Sequence, residues 1–234
     1  MIMDIFSSFD DMNQVFMSMY VLMWFLPLLS VCLLGCFYWI FSPCWNNTIL
    51  VLKDTVASQV FRSFGLRLGG FINLISGLFI LLVFLNLSGL IPYVFSCTSH
   101  LAVTFCLSFP LWLCLIISAV TFNFSSYVAS LLPMGAPGLL SPFLVCIETV
   151  SIGVRSITIS VRLMANMSAG HIVLTLNGNY LSASFSVMLN LVVLVLVLIQ
   201  ISYTVFEFGI SGIQAYVFCL LNSLFANDHP ASRE

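Results

Sequence analysis

Arg162 lies deep inside Leu139–Leu176, 38 residues of mainly apolar sequence with no proline or polar turn cluster at mid-length. A guanidinium keeps its proton at any ordinary pH, so it cannot go neutral to escape a low-dielectric setting. Placing one at the centre of a membrane helix costs about 2.5–3.5 kcal/mol or more. A chain that holds such a charge there must fold so that something meets it. The surrounding residues, Val161-Arg162-Leu163-Met164-Ala165-Asn166-Met167-Ser168-Ala169-Gly170-His171, add an amide, several small side chains and a titratable imidazole. That combination reads as a site.

The rest of the chain says that the setting is a membrane. Its 234 residues are 61% hydrophobic and 6% charged, where soluble domains carry about 25% charged residues. Mean hydropathy is +1.16, and the length allows about five or six helical passes. A net charge of −2 with six Lys and Arg argues against nucleic-acid binding, which needs clustered basic residues. The N-terminus starts polar and acidic (Asp4, Asp10, Asp11), unlike a signal or transit peptide. Insertion beside the membrane of synthesis, or through the first span itself, is therefore expected. Eight cysteines without a C-x-x-C pair, mostly in apolar runs, read as small buried hydrophobes. With three scattered histidines, no metal site and no cofactor is expected.

The pattern predicts an all-α integral membrane protein of about five membrane-embedded helices plus an amphipathic surface helix. A first span covers 15–41, ended by Pro43 and Asn46-Asn47. Residues 48–70 carry Lys53, Asp54, Arg62 and Arg67 among apolar residues at helical spacing, which suits a helix lying on the membrane surface. Further spans cover 71–95 and 101–124, the latter with a kink at Pro110. Three of the six basic residues fall between the first two spans, so that side is inner and the N-terminus outer. Counting passes places the C-terminus inside. The last two segments, 139–176 and 184–225, would be about 57 and 63 Å long as helices, against a core of about 30 Å. They predict a long, steeply tilted hairpin turning at Asn177-Gly178-Asn179.

On the first of these helices Glu148, Ser151, Arg155, Thr158, Arg162, Asn166 and Ala169 fall within about 40° of one line. An apolar flank of Ile147, Val150, Val154, Ile157, Val161, Met164 and Ile172 is offset from it, and His171 points roughly away from Arg162. Such a line is either a stripe packed against helices of the same chain or an aqueous or partner-facing track. The second helix has a matching stripe: Gln200, Thr204, Glu207, Ser211 and Gln214. Glu207 is its one charge before Asp228. It is either a proton-exchanging group or a counter-ion to Arg155 or Arg162.

These residues carry a resemblance. Ile147-Glu148-Thr149, Arg162-Leu163-x-Ala165-Asn166-x-x-Ala169-Gly170-His171, Ile213-Gln214-Ala215-Tyr216-Val217-Phe218 and Asn86-Leu87-x-Gly89-Leu90-x-Pro92 resemble subunit a of F-type ATP synthases, in its mitochondrially encoded form. Ser156 departs from it, standing where relatives often have proline. The resemblance implies a proton-conducting stator subunit, not catalytic by itself, beside a rotor ring of c subunits that each bear a carboxylate. Other stator and membrane subunits and lipid would be its further partners. It implies that Arg162 is the essential arginine facing that ring. His171 and Glu207 would belong to the outer half-channel and Glu148 and Asp228 to the inner one, with Asn166 and Gln214 as further polar groups on the proton path. The implied location is the mitochondrial inner membrane, N-terminus in the intermembrane space and C-terminus in the matrix. A secondary transporter would instead show inverted repeats, and a respiratory-chain subunit binding haem or quinone would show paired histidines; the sequence has neither.

Overall fold

A computed structural model describes the protein over Phe25 and residues 44–63, 65, 68–91, 95–132, 140–185 and 190–230. Among them every regular element is helical: α1 (Cys44–Arg62), α2 (Phe71–Gly89), a 3-10 turn (Cys97–Ser99), α3 (Leu101–Phe122), α4 (Phe124–Ser130), α5 (Ser141–Phe185) and α6 (Asn190–Asn227). Four of these, α2, α3, α5 and α6, are long and apolar enough to cross a membrane. The chain is an all-α integral membrane protein. The expected first span, 15–41, lies outside the described residues apart from Phe25.

Local chemistry sets the helix ends. Gly70 takes φ 82° just before α2, a left-handed turn that only glycine adopts at little cost. α2 stops at Gly89 rather than continuing to 95, because Pro92 disfavours helix in the residues before it. α3 continues through Pro110, whose ring removes the donor that would meet the Cys106 carbonyl. Asn123 is extended (φ −157°, ψ 97°), and its side-chain oxygen accepts the Ser126 N–H at 3.3 Å. That N-cap starts α4. Ser156 sits within unbroken helix, its carbonyl accepting the Ser108 hydroxyl at 3.2 Å.

The hairpin turn differs from the expectation. Residues 177–179 are helical, and α5 runs on to Phe185. Asn177 Nδ2 donates to Gln200 Oε1 at 2.7 Å, so the polar residue that suggested a turn is satisfied by the neighbouring helix instead. Gly170 lies against Glu207, and Asn166 Nδ2 donates to Gln214 Oε1 at 2.9 Å. Descending α5 while ascending α6, these contacts define an antiparallel register.

The chain divides into two compact units, and α2, α5 and α6 each contribute a segment to both. The first unit takes residues 81–100 and 163–215, and buries Leu82, Val83, Leu163, Met167 and Ala215. The second takes 43–80, 101–162 and 216–234, and buries Val56, Val60, Ile75, Phe79, Ile159 and Phe218. In that unit Val56, Gln59 and Val60 of α1 line one crevice with Tyr216, Cys219 and Leu220 of α6. α1 turns Leu50, Val51 and Phe61 outward. Leu191, Leu194, Leu198 and Val205 of α6 are likewise exposed, which water would oppose and a hydrocarbon surrounding accepts.

Candidate functional site

α5 positions Arg162. Its neighbours Ile159, Ser160 and Leu163 are buried at 3%, 0% and 0% exposure, while Thr158, Val161, Arg162 and Ala165 face outward. Among the described residues Arg162 makes no hydrogen bond and no ion pair. A permanent cation at the middle of a membrane helix thus points away from its own chain.

Arg155 is different. Nη1 lies 3.5 Å from Asp228 Oδ2, and the guanidinium sits over the Phe225 ring, 5.4 Å from its centroid. Its charge is therefore balanced within the chain. Sequence spacing placed both arginines on one line and could not separate them. Arg155 thus has a counter-ion in Asp228.

Glu207 is 3% exposed. Its carboxylate fits because the facing residue on α5 is glycine. A Cβ added to Gly170 would stand 2.5 Å from Glu207 Cδ and 2.8 Å from Oε1. Tyr203, one turn earlier on α6, lies on the same helix face and is half-buried. His171 follows Gly170 and is half-buried. One turn past Glu207, the Ser211 carbonyl accepts from Asn86 Nδ2 at 3.3 Å. Asn86 is fully buried, and its Oδ1 has no protein partner. Such an atom calls for a water. Tyr203 and Asn86 were not singled out as site residues from sequence. The signal for Tyr203 is its i−4 spacing from Glu207; none marks Asn86 beyond its place in the Asn86–Pro92 block.

The polar line of α5 is divided between two directions. Asn166 is half-buried and tied to Gln214, and Ser151 is also half-buried, whereas the flank residues Val150, Val154, Ile157 and Val161 are exposed. The outward face is thus the apolar flank together with Thr158, Arg162, Ala165 and Ala169. Thermal denaturation of detergent-purified protein carrying Asn166→Ala, Gln214→Ala or both should reveal a coupling of about 0.6–1.7 kcal/mol. Strictly additive losses would show that the amides do not interact.

Asp228 and His229 follow α6 and line a cavity of about 50 Å³ with Trp112, Ile116, Tyr127 and Ile152. That space is large enough for ordered water. The Trp112 Nε1 donor is buried without a protein partner. Burial pushes the Tyr127 phenol above its ordinary value, so it remains a proton-bearing donor. Glu148, half-buried near the start of α5, makes no ion pair among the described residues. His171, Glu207, Asn166 and Gln214 all belong to the first unit; Glu148, Arg155, Arg162 and Asp228 belong to the second.

Comparison with known proteins agrees over nearly the whole length. A family described as ATP synthase A chain matches residues 12–227. ATP synthase subunit a of Aedes albopictus is 36% identical over 238 residues, covering 97% of this chain and 99% of the relative. Those of Drosophila melanogaster and Anopheles gambiae are each 37% identical, over 232 and 233 residues, with the same coverage.

Proposed function

The chain belongs to the ATP synthase A chain family, and we propose that Arg162 is the fixed cation that its rotor-facing surface presents to membrane-embedded carboxylates of a c-subunit ring. As a family member the chain is a non-catalytic, proton-translocating stator subunit of the membrane sector, multi-pass, acting in a complex with other subunits. The observation that carries the proposal is the outward guanidinium among apolar neighbours, with no hydrogen bond or ion pair among the described residues. In a low-dielectric surrounding it strongly favours an anion as its neighbour.

A deprotonated carboxylate arriving at Arg162 is stabilised by its charge. A protonated one is not, and moves on through lipid. Protons reach the ring from one side through His171 and Glu207, with Asn166 and Gln214 holding the two long helices in register around them. They leave on the other side past Glu148 and Asp228. Arg162 stands between the two routes as a charge that a proton cannot cross, so current must pass by rotation. Each proton crossing 100 mV releases about 2.3 kcal/mol. The likeness to the insect subunits supports the mitochondrial inner membrane, and the basic residues between the first two spans support an N-terminus in the intermembrane space and a C-terminus in the matrix.

The test is disulfide crosslinking within the assembled complex. Cysteines at Thr158 and Ala165 flank Arg162 on the exposed face and should link to cysteines beside the ring carboxylate. A cysteine at the fully buried Ser160 should not. Equal yields from Ser160 and Ala165 would mean that another face of α5 meets the ring.

A further inference from the structure

We propose that Asp228 serves the inner half-channel as the neutraliser of Arg155 rather than as a carrier of protons: their ion pair cancels a fixed positive charge that would otherwise bar the route. This rests on the reading that protons leave past Glu148 and Asp228. It changes the part that Asp228 plays there.

Glu148, Arg155 and Arg162 stand at seven-residue intervals along one line of α5. Each interval is about two turns, a rise of about 10 Å. A proton shed beside Arg162 and bound for Glu148 therefore has to pass Arg155. A guanidinium cannot discharge itself, and a bare one midway would oppose proton flow just as Arg162 does. Asp228 removes that obstacle. Its Oδ2 lies 3.5 Å from Arg155 Nη1, and the Phe225 ring, 5.4 Å from the guanidinium, holds the charge toward the end of α6. The Asp228 N–H donates to the Phe225 carbonyl at 3.2 Å, so one turn of backbone sets carboxylate and ring together.

The pair is poorly suited to bracing the fold. Its side chains are 41% and 71% exposed, and exposed ion pairs add little stability. Its field reaches further than its contact. A unit charge about 10 Å from a proton changes its passage by about ten-fold at the effective dielectric of a protein surface. His229 and Tyr127 line the same cavity as Asp228, and neither supplies a second anion.

ATP-driven proton pumping by intact reconstituted complexes, which runs the inner route in reverse, tests the idea with rates normalised to assembled complex. Asp228→Asn leaves Arg155 bare and should slow pumping about ten-fold. Adding Arg155→Gln removes the charge that needed cancelling, so the double variant should be at least about three-fold faster than Asp228→Asn alone. Raising salt on the inner side from about 0.01 M to about 0.15 M shortens the screening length from about 30 Å to about 8 Å. It should narrow the deficit of Asp228→Asn, which loss of a brace or of a proton carrier would not do. A double variant as slow as Asp228→Asn overturns the proposal, because Asp228 then carries the proton itself. So does Arg155→Gln as slow as Asp228→Asn with no recovery in the double variant, the signature of a brace. Glu148→Gln separates the two levels of inference. If it and Asp228→Asn both pump at the normal rate, the inner route itself is misplaced. If Glu148→Gln is slow while Asp228→Asn is normal, only the neutraliser fails.

Discussion

Complexes carrying Arg162→Ala should assemble in normal amounts and make no ATP. Arg162 touches no other described residue through a hydrogen bond or ion pair, and its alkyl stem leaves an exposed face. Truncation therefore opens no core cavity, and the chain loses a charge whose insertion is itself costly. What disappears is the anion site for the rotor carboxylate and the barrier between the two half-channels. ATP-driven proton pumping should be lost with synthesis, and passive proton leak should rise. Arg162→Lys should be nearly as damaging. An ammonium can shed its proton in a low-dielectric site and then blocks nothing, and it lacks the planar fork that matches a carboxylate. Synthesis in Arg162→Ala above about one-tenth of normal, a deficit below about 1.4 kcal/mol in barrier terms, would remove Arg162 from the mechanism.

Gly170→Val should nearly abolish proton flow by a different route. Even a single Cβ at this position collides with the Glu207 carboxylate, and valine adds two methyl groups fixed at χ1. Overpacking of this kind costs about 1–3 kcal/mol, and here the yielding group is the carboxylate itself. Displaced from Gly170, Glu207 loses its position against α5. Gradient-driven synthesis should fall at least about ten-fold, equivalent to roughly 1.4 kcal/mol. Gly170→Ala should be milder. Adding Glu207→Asp to it withdraws the carboxylate by one methylene and should recover part of the rate. No recovery, together with a normal rate for Glu207→Asp alone, would show that the steric conflict lies elsewhere.

Much of this protein is legible in its residues. Hydropathy and the scarcity of charge dictate helices in a membrane, because every backbone polar group there must be bonded within its own segment. The excess length of the last two segments shows a hairpin of long helices, and the string from Arg162 to His171 identifies the family. Spacing alone also puts Gln200, Glu207, Ser211 and Gln214 on one face.

What spacing cannot supply is which face meets which neighbour. Asn177-Gly178-Asn179 has the composition of a turn, yet Asn177 is paired with Gln200 inside a continuous helix. Arg155 and Arg162 share a line in sequence, but only Arg155 has Asp228 within reach. Asn166 belongs to the Arg162 line by angle, and to Gln214 by contact. Gly170 is one glycine among thirteen until the Glu207 carboxylate is seen against it. Periodicity is a property of one helix and is written in its residues. Register is a property of two, chosen by the few buried polar groups that must find each other across the interface, and it exists only once the helices are packed.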